Sequence, residues 1–295
     1  MDLSVVVCTR NRISKLKRCV EALTLVNTVR NWELVIVDNG STDGTNDYLK
    51  SIDKKQFNQV SVITTLELKR GLSYARNRGW RTSHGAIVAF TDDDCYVSKD
   101  YVDSIIQVFE DNSRIGFLGG RILLFDNLDY RITILESKRR CEFRPWTFIA
   151  AGAVQGANIA FRRVVLERIG GFDERLGAGT PFPSEDIDAA AAALWSGVIG
   201  MYAPEPVVYH HHGRRTEYEL RKLMRSYDAG RGAYYAKYIL KRASRLEYVR
   251  AWARSIGNEC MRALRQGRLP RRSIKELYGA LRFASQHAMY RRRQD

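Results

Sequence analysis

No stretch of this 295-residue sequence runs 18 or more apolar residues, and the opening MDLSVVVCTR lacks the long apolar core of a signal peptide. The sequence therefore predicts no spanning helix and a chain kept in the cytoplasm. Its five cysteines, Cys8, Cys19, Cys95, Cys141 and Cys260, are odd in number and form no CxxC pair, which argues against a disulfide framework or a zinc knuckle and suits a reducing compartment. No internal repeat and no low-complexity linker divides the chain. No helix-turn-helix, zinc-finger or RNA-binding signature accompanies its basic residues, so nucleic acid is not expected as a partner. What is present is 45% hydrophobic content, enough to bury a substantial core in one large α/β domain with an appendage.

The net charge of +15 is unevenly spread. Residues 1–213 hold 26 Lys/Arg and 26 Asp/Glu, whereas residues 214–295 hold 22 and 7. This asymmetry predicts a neutral body over 1–213 and a basic α-helical region over 214–295 that meets something anionic. Tyr227, Arg231, Tyr234, Tyr235, Tyr238, Arg250 and Trp252 pair arginines with aromatics, and the chain closes on Arg291, Arg292 and Arg293. Such helices suit an anionic membrane surface at its inner face, where basic side chains snorkel and rings sit at headgroup level. The plainer reading is that the region packs on the body, or on a second subunit of a homo-oligomer, with its arginines solvated.

Residues 4–8 are an apolar β-branched run, and Ile13, Leu16, Val20 and Leu23 then recur at helical spacing. Residues 33–37 read as the next buried strand, 38–43 as turn chemistry ending in an N-cap, and 60–64 as a third strand. A helix over 71–83 feeds an apolar strand at 86–90. Short buried strands alternating with helices predict a mostly parallel, doubly wound sheet, with ligands beyond the carboxyl ends of its strands. Thr9, Asp38 and Asp92 all fall at such ends. The interval 115–162 is less regular, with strand-like pieces at 116–125 and 143–150 that predict mixed or antiparallel pairing. Helices are expected over 163–169 and 184–195, the latter with Ser184 as N-cap, then a strand over 201–209 and two or three helices from Thr216, broken near 267–270.

Asp92, Asp93 and Asp94 form an acidic triplet where the 86–90 strand surfaces. Two companions give it meaning, Glu185-Asp186 and the run His210-His211-His212. Carboxylate oxygens with one imidazole suit Mn²⁺ or Mg²⁺, the nitrogen favouring Mn²⁺, and imply metal-assisted displacement of a phosphate leaving group. Each motif also has a bland reading. The triplet and the histidines could be solvated turns, Asp38-Asn39-Gly40 a tight turn, and Glu185-Asp186 dipole-favoured acids of a first helical turn. Gly156-Ala157-Asn158 could be a strand entry, although small residues permit close approach of an acceptor.

Seven stretches stand in order: SVVVCTRNR at 4–12, ELVIVDNGSTDGT at 33–45, GLSYARNRG at 71–79, AFTDDDC at 89–95, GANIAFRR at 156–163, GGFDERLGAGTPFPSEDID at 170–188 and VVYHHHG at 207–213. On these the chain resembles the inverting glycosyltransferases of family 2, which have the GT-A fold, a Rossmann-like α/β architecture with a central sheet flanked by helices. The resemblance covers about the first 213 residues. It implies a metal-dependent inverting transfer of a sugar from a nucleoside-diphosphate sugar to a hydroxyl of a glycan or lipid-linked acceptor, in surface polysaccharide biosynthesis. By it, Thr9, Arg10 and Asp38 contact the nucleotide, Asp38 by accepting from an imide N–H, which favours UDP or dTDP over GDP. Arg76 lies along the diphosphate or base. Asp92 and Asp94 match the D-x-D acids, with Asp93 between them on the donor and Asp94 and Asp92 on the metal together with His210. Asp186 matches the catalytic base, with Glu185 and Asn158 at the acceptor. The competing readings are a sugar-1-phosphate nucleotidyltransferase, which would want a glycine-rich loop where Cys8-Thr9-Arg10-Asn11-Arg12 has no glycine, and a non-catalytic anion-binding scaffold.

Overall fold

The computed structural model describes residues 1–52, 57 and 60–291, side chains through 288. Its elements follow in chain order as β1 (Leu3–Thr9), α1 (Ile13–Thr24), β2 (Trp32–Asp38), α2 (Thr45–Ser51), β3 (Ser61–Leu66), α3 (Leu72–Thr82), β4 (Ile87–Asp92), β5 (Cys95–Val97), α4 (Tyr101–Asp111), β6 (Ile115–Leu124), β7 (Cys141–Phe143), β8 (Ile159–Arg162), α5 (Arg163–Ile169), α6 (Glu185–Trp195), β9 (Ile199–His210), α7 (Glu217–Leu240), α8 (Arg245–Arg265) and α9 (Arg271–Arg291). The β-branched runs become strands because their period-two alternation supplies two apolar faces at once. Leu3, Val5 and Val7 of β1 join Leu34, Ile36, Ile87 and Ala89 in one core. Val6 joins Val35, Val37, Val88 and Phe90 in the other. Helices α1 and α4 cover the first face and α6, α7 and α8 contribute to the second.

The strands form one sheet in the order β3-β2-β1-β4-β8-β6-β9-β5, with β7 also paired to β9. The β3-β2-β1-β4 half is wholly parallel. Beyond it β8 runs antiparallel to both β4 and β6, and β9 is parallel to β6 but antiparallel to β5 and β7. The sheet is therefore mixed in its second half, where the sequence was least regular.

Some local expectations differ from the structure. Residues 144–150 make no strand: Phe148 stacks on Tyr235 and the Ile149 carbonyl accepts from the Tyr234 hydroxyl at 2.8 Å, so contacts to α7 replace sheet pairing. Ser184 stands at the N-cap of α6 without capping it, because its hydroxyl donates to the Gly230 carbonyl of α7 at 3.0 Å. Several of the tail aromatics are core residues. Tyr234, Tyr235, Tyr238 and Tyr248 lie in the same core cluster as Val6 and Phe90, and the Tyr238 hydroxyl donates to the Asp188 carbonyl at 2.9 Å. Arg292 and Arg293 lie outside the described residues, and Arg291 closes α9.

Helix α7 begins with a full capping box between Thr216 and Glu219. Its inner half is fixed to the body by Lys237, whose Nζ lies 2.7 Å from both Asp173 and Asp188. Replacing Lys237 by Met leaves the buried Asp188 carboxylate without its ion-pair partner, while Asp173 keeps Arg175 at 2.6 Å, and is expected to cost about 3–5 kcal/mol in chemical denaturation. Glycine makes the α7–α9 contact. A Cβ at Gly232 would lie 1.8 Å from the Glu276 carbonyl oxygen, whereas one at Gly257 in α8 meets nothing within 4 Å. Gly232→Ala should therefore destabilise by at least about 1–3 kcal/mol, and Gly257→Ala should stabilise by about 0.5–1 kcal/mol, both read from denaturation midpoints.

Candidate active site

The parallel register carries the site residues to one sheet edge. Thr9 is level with Asp38 and Cys8 with Asp92, so the acids emerge just past the end of β1. The Thr9 hydroxyl donates to Asp93 at 2.7 Å. Arg12, at the entry to α1, reaches back to pair with Asp93 at 2.8 Å and with Asp94. The antiparallel β5–β9 pair sets Cys95 opposite His210, and the His211 amide donates to the Asp94 carbonyl at 2.8 Å. His210 consequently faces Asp94, Nε2 to Oδ1 3.4 Å.

The remaining two histidines are occupied elsewhere. His212 Nε2 is 2.9 Å from the Tyr130 carbonyl and its Nδ1 accepts from the Arg214 amide. His211 Nδ1 meets the Tyr96 hydroxyl at 3.0 Å. His210 Nδ1 lies 3.1 Å from the Thr133 carbonyl, which holds a proton on that nitrogen and turns Nε2 toward the acids. Asp92, Asp94, Cys95 and His210 bring one donor atom each within 4.8 Å of one another. The two carboxylates and the imidazole are a donor set that fits Mg²⁺ or Mn²⁺.

Electrostatics differ sharply along the triplet. Burial pushes Asp93 up to about 7, against the pull of Arg12. Burial acts on Asp94 in the same direction, but the hydrogen bond and charge of His210 and the Arg12 guanidinium outweigh it and hold Asp94 well below the usual carboxylate range. Asp92 is partly exposed and pairs with Arg76 at 3.2 Å.

Arg76 comes from α3, fully enclosed, with its guanidinium 5.5 Å from the Phe172 ring. Its other arm pairs with Glu185 at 2.8 Å. Gly156 makes room for it, since a Cβ there would lie 2.3 Å from the guanidinium. The small residue expected to admit an acceptor thus admits Arg76. Glu185, buried at the start of α6, has its pKa raised to about 7 by that burial, with Arg76 opposing. Its neighbour Asp186 is partly exposed, and its carboxylate accepts from the amides of Gly156 at 2.8 Å and Ile187 at 2.7 Å.

These groups line a cleft of about 810 Å³, a volume suited to a nucleotide-sized ligand. Thr9, Arg10, Arg76, Asp92, Asp93, Asp94, Glu185, Asp186 and His210 all reach it. Asp38 does not line it: this carboxylate is buried beside the cleft and accepts from the Ser41 amide at 2.9 Å. Asn158 is a correction. Its amide donates to the Arg121 and Pro206 carbonyls and accepts from the Tyr101 hydroxyl, so it braces β6, β9 and α4 and offers nothing to an acceptor.

Two groups of cleft residues are not foreseen from the sequence. Arg12 is visible there only as a second basic residue after the first strand, in SVVVCTRNR. Leu223, Met224, Tyr227, Asp228 and Arg231 of α7 form a cleft wall together with Arg214. Nothing in their spacing distinguishes them from the rest of a basic helix.

The family model for glycosyl transferase family 2 matches residues 4–170. The chain is similar to the glucosyl-dolichyl phosphate glucuronosyltransferase of Haloferax volcanii, 28% identical over 191 residues, which cover 60% of this chain and 58% of that protein. It is similar also to glycosyltransferase AglE of the same organism, 24% identical over 209 residues, covering 69% and 67%. The match thus spans little more than half the length of the first of these relatives. Among solved structures, the mannosyltransferase PcManGT of Pyrobaculum calidifontis in complex with GDP-Man and Mn²⁺ superposes with TM-score 0.64 at 17% identity, over 95% of this chain and 86% of that one. TarS 1–349 of S. aureus in complex with UDP-GlcNAc gives 0.60 at 16% identity, over 84% and 69%. These likenesses establish a common GT-A fold. With its model matched over more than half of the chain, the protein belongs to glycosyl transferase family 2.

Proposed function

We propose that the chain is a metal-dependent inverting glycosyltransferase that moves a sugar from a nucleoside-diphosphate sugar to a hydroxyl of a glycan or lipid-linked acceptor, in the building of a surface polysaccharide or lipid-linked glycan. One observation carries this reading: the Asp92, Asp94 and His210 donors gather within 4.8 Å, in the same cleft as the partly exposed Asp186. The neighbours' complexes with GDP-Man and with UDP-GlcNAc support a nucleotide-sugar donor here. A relative named for a glucosyl-dolichyl phosphate supports a lipid-linked acceptor.

Asp92, Asp94 and His210 are the residues that would hold a Mn²⁺ or Mg²⁺ ion, which supplies Lewis-acid stabilisation of diphosphate charge when bound. Thr9 and Arg10 line the nucleotide end. Asp38, buried beside the cleft with Oδ1 on the Ser41 amide, would accept from the base's imide N–H only once a bound nucleotide uncovers it, an assignment that favours UDP or dTDP. Arg76 opposes negative charge on the donor without mobility of its own, since Glu185, Asp92 and Phe172 fix its plane. Glu185 therefore acts chiefly by holding Arg76. Asp186 takes the proton from the acceptor hydroxyl as that oxygen attacks the anomeric carbon from the face opposite the diphosphate, giving inversion in one displacement. The amides of Gly156 and Ile187 keep its carboxylate aimed.

The roles separate experimentally. Asp186→Asn should keep donor affinity within about threefold, by calorimetry, while turnover falls about 10²- to 10⁴-fold. Asp94→Ala should lose metal-dependent donor binding itself. Equal loss of donor affinity in both variants would contradict the assignment.

A further inference from the structure

The chain's excess charge and a run of unpartnered apolar side chains fall on the same surface. Along α9, Ile274, Leu277, Tyr278 and Leu281 recur at the three- and four-residue spacing of one helix face, and each is between 51 and 65% exposed. The inner face of the same helix, through Ser273, Glu276, Ala280 and Phe283, is buried. Leu264, in the last turn of α8, and Leu269, on the turn that leads into α9, are exposed as well. Solitary exposed leucines are ordinary, but a stripe at helical period marks a contact surface.

Residues 261–282 carry seven Lys/Arg and a single acid, Glu276. Glu276 is buried, holding Arg231 at 2.6 Å and the Trp252 indole at 2.9 Å. The solvent side is therefore apolar and cationic together, with Arg265, Arg268 and Arg271 exposed. That combination decides the occupant. A second copy meeting this face across a twofold axis would set the same arginines against one another. A nucleic-acid backbone would engage the arginines and leave the leucines in water. An anionic bilayer meets both, with phosphate headgroups for the guanidinium groups and acyl chains for the stripe.

We propose that the outer face of α9, with the turn before it, is a docking surface for an anionic lipid bilayer. Its place relative to the cleft gives it a use. Asp228 and Arg231 line the cleft, and both are paired to the first turns of α9, Asp228 with Lys275 at 3.4 Å and Arg231 with Glu276 at 2.6 Å. The stripe thus begins one residue from the side chains that brace the cleft wall. Docking there holds the cleft beside the headgroup layer, where a lipid-linked acceptor hydroxyl is found. This last step rests on the transferase reading; the surface itself does not.

The test is flotation of the full chain with phosphatidylglycerol-containing vesicles and with pure phosphatidylcholine vesicles, for the wild type, Leu277→Glu/Leu281→Glu, and Val164→Glu as a control on a distant exposed apolar residue. The wild type and the control should float with anionic vesicles, and the double variant should lose at least about tenfold in partition coefficient while keeping the wild-type melting curve. Equal flotation of the double variant, or no flotation of the wild type, would overturn the proposal. So would a wild-type dimer that the double variant converts to monomer, which would assign the face to a second copy. Flotation needs no turnover, so failure of the transferase assay would leave the flotation result standing.

Discussion

Six carboxylates line one cleft; besides Asp228 of α7, which Arg231 and Lys275 pair, they are Asp92, Asp93, Asp94, Glu185 and Asp186, and of these five Asp93, Asp94 and Glu185 are buried. Removing a carboxylate from water costs several kcal/mol unless opposite charge accompanies it. Here that charge comes from Arg12, Arg76 and His210, each delivered by a different part of the fold: the entry to α1, the middle of α3 and the end of β9. The site is therefore a property of the whole sheet. A displaced helix would strand an acid, and the acids in turn hold those elements in register.

The same mutual dependence governs the C-terminal region. Its charge reads as that of an appendage, but α7 donates its tyrosines to a core shared with the sheet and its outer turns to a cleft wall. Lys237 bridges two acids of the body, which ties the helix to it electrostatically. Among the described residues of this region, the outer face of the last helix remains exposed. The division between neutral body and basic tail is thus visible in composition, while α7 and α8 pack into a core shared with the sheet.

The strand ends were legible in the sequence because a buried parallel strand needs an unbroken apolar run, and the first polar residue after such a run marks its carboxyl end: Thr9, Asp38 and Asp92 follow from that alone. The acid triplet was legible as a site, but the separation of its members was not. Asp94 differs from Asp93 by facing His210, a contact set by antiparallel β5–β9 pairing across more than a hundred residues. Asn158 misled because a buried amide that satisfies three partners looks, in a motif, the same as one offered to a ligand. Ser184 misled similarly, standing at a cap while its hydroxyl serves α7. Tyr234, Tyr235 and Tyr238 failed as surface predictors because the period-3.6 pattern of α7 does not state which face is inside when both carry tyrosine and arginine.

The edge formed by β4, β5 and β9 is, on this account, where a nucleoside diphosphate binds through a divalent cation. Calorimetric titration of the wild-type chain with UDP, dTDP and GDP, each in Mn²⁺ and in chelator, tests that central claim most directly. The predicted result is saturable binding of one nucleotide, UDP or dTDP before GDP, that chelation removes. Binding of none of them in Mn²⁺, or binding indifferent to the chelator, would contradict it.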